Sequence, residues 1–129
     1  MPLRLTLKPH ERVILGGAVV RNGDKRSGFL IENEIPVLRE TDILSPRTAR
    51  TACERLYLTL QLMYVDPERM DLHRKTFDHM AENILEAAPS CGPHLEATVD
   101  LVEAGRLYQA LKRAQLLLEH EKELIHHVS

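Results

Sequence analysis

The amino-acid sequence predicts an α+β fold: a small five-stranded antiparallel sheet in the N-terminal part, followed by a region of about four helices. Three observations carry this expectation. Residues 3–39 form short runs of apolar character, the first strictly alternating, cut by Gly, Pro and Asn. From Thr48 onward the apolar residues instead recur at helical spacing. Ser45-Pro46 marks the change between the two patterns. Residues 1–44 read as the β-rich part and 45–129 as the helical part, the two together making one compact domain.

The strands follow in order. Leu3, Leu5 and Leu7 alternate with Arg4, Thr6 and Lys8, the mark of a half-buried strand. Lys8-Pro9-His10-Glu11 turns the chain into Arg12–Leu15, which Gly16-Gly17 stops. Ala18–Arg21 is a third strand. Asn22-Gly23 then suits positive φ and so a tight hairpin. Gly28–Glu32 is a fourth strand and Ile35–Arg39 a fifth. Pro36 lacks an N–H, so this last strand belongs at an edge or starts late.

The helices follow the same logic. Cys53, Leu56, Tyr57, Leu60, Met63 and Tyr64 share a helical spacing, with Leu58 and Leu62 filling the other side. Leu56, Leu58, Leu60 and Leu62 also alternate, which leaves a strand open there; the segment's length favours the helix. Asp66-Pro67-Glu68 reads as a helix start, with Asp66 as cap and Pro67 in the first position. Met70, Phe77, Met80, Ile84, Leu85 and Ala88 give the next stripe. A third helix covers about 94–104 and Gly105 breaks it. The last carries Leu107, Ala110, Leu111, Ala114, Leu117, Leu118 and Leu124.

Composition narrows the function. The chain has 129 residues, 43% of them hydrophobic, but no Trp, three Tyr and two Phe, so its core rests on aliphatic side chains. The opening residues hold no long apolar run and do not read as a signal peptide. No stretch approaches the roughly 20 apolar residues of a membrane span. Cys53 and Cys91 are too few and too far apart for a disulfide scaffold, which suits a reducing cytoplasm. No GxSxG, P-loop or GxGxxG occurs. Seven histidines (10, 73, 79, 94, 120, 126 and 127) include no HExxH pair, and surface positions explain them better than a metal site. Catalysis, a metal and a cofactor are therefore not expected.

Charge is uneven. The net charge is −2, yet residues 1–50 hold nine basic groups against six acidic ones, and the remainder eight against thirteen. An anion would approach the N-terminal part. Arg4, Thr6 and Lys8 fall on one face of the first strand, about 7 Å apart per two residues. Arg12, Arg21, Lys25 and Arg26 add charge near the turns, and Arg39 ends the fifth strand. Such a row suits the phosphates and base edges of single-stranded RNA. Edge strands also carry Lys and Arg simply to resist aggregation. The Leu-rich, acidic second half offers a helical apolar surface that would pack within the chain or meet a protein partner.

These residues resemble the FlbT family of flagellar regulators. The resemblance rests on Pro2-Leu3-Arg4-Leu5-Thr6-Leu7-Lys8-Pro9, Asn22-Gly23-Asp24, Val37–Leu44, Leu62-Met63-Tyr64 and the closing His127-Val128-Ser129, and it spans essentially the whole chain. It implies a post-transcriptional role in flagellum biogenesis: binding the 5′ untranslated region of flagellin mRNA and promoting its decay, with flagellin and FlaF as further partners. In some bacteria such proteins instead favour flagellin production. A weaker, local resemblance links Leu5-Thr6, Glu11, Gly16 and Val37-Leu38-Arg39-Glu40 to the CsrA family of five-stranded RNA-binding repressors. There the first strand carries two adjacent basic residues; here the matching positions are Leu7 and Lys8. That family forms a homodimer with interleaved strands, which would place Arg4, Lys8 and Arg39 on one RNA surface. The alternative to RNA binding is a protein-interaction module, or chaperone-like factor, that holds flagellin, FlaF or another flagellar component.

Overall fold

A computed structural model describes residues 2–128, with the side chains of His127 and Val128 outside the description. Ser129 of the closing triplet therefore lies outside the described residues. The chain divides into two compact units, one ending at Ile43 and the other beginning at Leu44.

The first unit holds five strands: β1 (Leu3–Leu7), β2 (Arg12–Leu15), β3 (Ala18–Arg21), β4 (Ser27–Ile31) and β5 (Val37–Arg39). They form two sheets rather than the single five-stranded sheet expected. β1 pairs with β4, and β2 lies between β3 and β5, all antiparallel. The reason lies in the connection between β3 and β4. Asn22-Gly23 makes no tight hairpin, and Gly23 is not among the residues with positive φ. Instead the Asn22 amide nitrogen lies 3.3, 2.8 and 2.9 Å from the carbonyl oxygens of Leu7, Lys8 and Lys25. This draws the chain off β3 and across to β1. The tight hairpin is at Gly16-Gly17, where Leu15 faces Ala18 and Gly16 has φ +64°, a value a Cβ would disfavour. Pro36 delays β5 until Val37, and β5 sits at an edge.

Alternation decides the core of this unit. Leu5 and Leu7 of β1 and Val13 of β2 are fully buried together, with Leu15 and Val37 packed against them. At about 25 cal/mol per Å² such a cluster favours folding, but a unit of this size has little core to spare.

The second unit is helical: α1 (Ala52–Val65), α2 (Met70–Ala87), α3 (Gly92–Glu103) and α4 (Leu107–Val128). The strand alternative at residues 56–62 is not adopted. α1 starts with a capping box: the Thr51 hydroxyl accepts from the Glu54 N–H (3.1 Å), and Glu54 accepts from the N–H groups of Thr51 and Arg50. A carboxylate from α4 adds to it, as Glu121 accepts from the Thr51 hydroxyl and from the Cys53 N–H. Gln61 is buried and exchanges two 2.9 Å bonds with the backbone of Leu44, fastening the segment before α1. Asp66 makes no side-chain cap; its carboxylate meets His73 at 3.2 Å, and a short 3-10 turn, Pro67–Arg69, leads into α2. Gly105, with φ +75°, separates α3 from α4.

The N–H of Thr51 holds the Glu54 carboxyl below its usual range against a smaller opposing effect of burial. A depressed carboxyl stabilises the fold above the ordinary carboxylate range and ceases to as the pH falls through its lowered value. Glu54→Gln should therefore melt with a flatter acid limb than the parent chain in thermal scans from pH 6 to pH 2.5.

Candidate nucleic-acid interface

The seven cations singled out in the sequence are all exposed, and they lie on more than one face. Register separates them. On β1, Arg4 and Thr6 point away from Leu5 and Leu7, onto the outer face of the β1–β4 ribbon. Lys8 lies beyond the end of that strand. In the other sheet Arg12 stands opposite Arg21, whereas Arg39 stands opposite Val13. Adjacent positions on a strand face opposite ways, so Arg12 and Arg21 share one face and Arg39 the other.

Two of the seven are partly neutralised. Arg12 meets Glu40 at 3.2 Å, and Arg39 meets Glu11 at 3.4 Å. The Glu11 carboxyl is held below its usual range, chiefly by the Lys8 N–H and then by Arg39. Arg39 also donates to the Thr6 carbonyl at 2.7 Å. The first and fifth strands are thus linked through a side chain within a single chain. Its guanidinium is spent on positioning β1, which leaves it less free for a ligand than the sequence suggests.

What the fold does gather is a basic end centred on Asn22, a residue that sequence reasoning missed. Its amide binds the carbonyls of Lys8 and Lys25, while its N–H donates to Glu11 O at 2.8 Å. His10, with φ +63°, donates its N–H to Gly23 O, and Arg21 donates to His10 O at 3.0 Å. Lys8, Arg21, Lys25 and the neighbouring Arg26 therefore emerge from one knot of backbone. None of these four forms an ion pair among the described residues. The only trace in the sequence is an Asn between strands, which the hairpin pattern also explains.

The helical unit shows different chemistry. Cys53 and Cys91 are buried, and burial pushes both thiols up, with the Glu121 carboxylate adding to the effect. His94 and His120 lie 5.0 Å apart, and Arg113 and Ser90 occupy one ring nitrogen of each. These histidines are half-buried and partnered rather than simply on the surface. No group of three or more metal-binding side chains occurs among the described residues, and none of their helices is long and apolar enough to cross a membrane.

Comparison with known proteins decides the family. A family model described as "Flagellar protein FlbT" matches residues 3–125.

The chain belongs to the FlbT family.

It is similar to "Probable flagellum biosynthesis repressor protein FlbT 1" of Bradyrhizobium diazoefficiens, 43% identical over 96% of this chain and 85% of that protein. "Probable flagellum biosynthesis repressor protein FlbT" of Rhodopseudomonas palustris is 39% identical over 97% and 98% of the two chains. "Flagellum biosynthesis repressor protein FlbT" of Caulobacter vibrioides is 34% identical over 100% and 93%. No solved structure matches the chain. FlbT membership thus rests on sequence along nearly the whole length, and the two-sheet unit is described without a solved relative.

Proposed function

We propose that this chain regulates flagellum synthesis after transcription, as a repressor that binds the 5′ untranslated region of flagellin mRNA and promotes its decay. It acts in the cytoplasm, by binding and without chemistry of its own. Its relatives' designation as flagellum biosynthesis repressors supports the regulatory part. The observation that carries the RNA part is the basic end around Asn22, where the backbone of Lys8, His10 and Lys25 is tied together and Lys8, Arg21, Lys25 and Arg26 stand exposed, with no ion pair to any of the four among the described residues. The knot fixes where these four exposed cations leave the backbone, which sets their charge beside one another for phosphates.

Filter binding to a flagellin leader transcript tests this. Lys8→Glu combined with Lys25→Glu should weaken binding by about tenfold or more. The log–log salt dependence should flatten by about 0.7 for each phosphate that the variant no longer neutralises. Equal affinity of the folded double variant and the parent would remove the basic end from the interface.

A second reading has its own observation. α2 and α3 flank an open groove of about 520 Å³, lined by Ala81, Glu82, Leu85, Leu95, Glu96 and Val99. An apolar segment of flagellin, FlaF or another flagellar component would suit it. A partner that stays bound in a pull-down after ribonuclease treatment favours this reading; release favours the first.

A further inference from the structure

The outer face of the β1–β4 ribbon carries an opening that the chain's own packing does not require. Thr6 stands opposite Gly28, and Arg4 stands opposite Leu30. With Phe29 they line a hollow of about 280 Å³. The hollow exists because position 28 has no side chain. Gly28 lies inside a strand, its φ is outside the left-handed region, and a Cβ built there would meet nothing within 4 Å. Neither backbone geometry nor crowding therefore calls for glycine. A glycine within a strand weakens it, and a residue with a side chain would pair better with Thr6. What glycine does supply is room for something to come close to the backbone.

We propose that this hollow receives one unstacked nucleotide of the bound RNA, its base lying flat over Gly28. Leu30, exposed on the same face, gives apolar surface for the base. Arg4 offers a planar cation that stacks on a base or pairs with a phosphate. The Thr6 hydroxyl can bond a base edge or a ribose 2′-OH. No carboxylate lines the hollow, as an anionic ligand requires. A peptide that added to this sheet would use a strand edge and its unpaired backbone; the hollow is on a face.

This inference rests on the RNA reading above, and the test separates the two. Gly28→Val fills the hollow with a strand-favouring side chain, and Thr6→Val removes the hydroxyl at nearly constant shape. Both should melt at or above the parent's temperature by circular dichroism. Against an in vitro transcript of the flagellin leader, Gly28→Val should bind about tenfold more weakly, with an unchanged salt slope because every phosphate stays paired with its cation. Thr6→Val should weaken binding severalfold. If both folded variants bind as the parent does, the nucleotide subsite is wrong while RNA binding stands. If the parent itself does not bind the transcript above a scrambled control, both readings fall together.

Discussion

Asn22→Asp should unfold the N-terminal unit, although it exchanges one nitrogen for an oxygen. In the parent chain the side-chain amide faces three carbonyl oxygens at 2.8 to 3.3 Å, and Asn22 is buried. An aspartate would keep the acceptor that receives the Gly23 N–H. It would also turn a donor into an anionic oxygen aimed at those three carbonyls. Removing buried hydrogen bonds and leaving their partners unsatisfied costs about 1–3 kcal/mol per group, more where charge is involved. The sum is comparable to the whole stability expected of a small domain, about 5 kcal/mol at the low end. Urea titration followed by amide spectra of β1 and β4 should show these strands disordered in dilute buffer. RNA affinity should fall with them, since Lys8 and Lys25 lose their common anchor. A variant that keeps native β1–β4 signals would show that the knot is dispensable.

The second large effect is expected at Phe77. α2 spans 18 residues, yet only Phe77 and Ile84 are buried. Phe77 is completely inaccessible. Truncating such a side chain to alanine costs about 3–5 kcal/mol, from forfeited transfer energy and from the cavity left behind. With a single buried residue remaining, α2 should lose its amide-exchange protection before the other helices do. Leu85→Ala on the same helix is the control, because Leu85 is 47% exposed and its truncation should cost well under 1 kcal/mol. Equal melting temperatures for the Phe77 and Leu85 variants would contradict this account of how α2 is held.

These two residues also show what could be read from the sequence. The strict alternation of Leu3, Leu5 and Leu7 located β1, because a two-residue period has one buried face whatever it packs against, although only Leu5 and Leu7 are buried and Leu3 stays exposed. Helical spacing located α1 to α4 for the same reason. The stripe that included Phe77, however, also included Leu85, and spacing alone does not tell a buried position from one lining an open groove. Sheet composition was legible only in part. Which strands pair depends on where β4 goes after Asn22, and that is decided by a side chain reaching carbonyls 14 and 15 residues away. Local turn chemistry pointed to Asn22-Gly23 for the hairpin, whereas the hairpin forms at Gly16-Gly17. At the interface the cations were visible but their pairing was not. The Arg39–Glu11 and Arg12–Glu40 contacts join residues 28 apart in sequence. Basic groups that a fold uses internally look the same, in sequence, as those it offers to a ligand.

The two thiols have a practical use. Cys53 and Cys91 are buried, and their surroundings disfavour the reactive thiolate. A cysteine introduced at an exposed site beside the basic end would therefore be the one that maleimide dyes modify. Fluorescent reporters of transcript capture could be attached there while both native sulfur atoms stay in place.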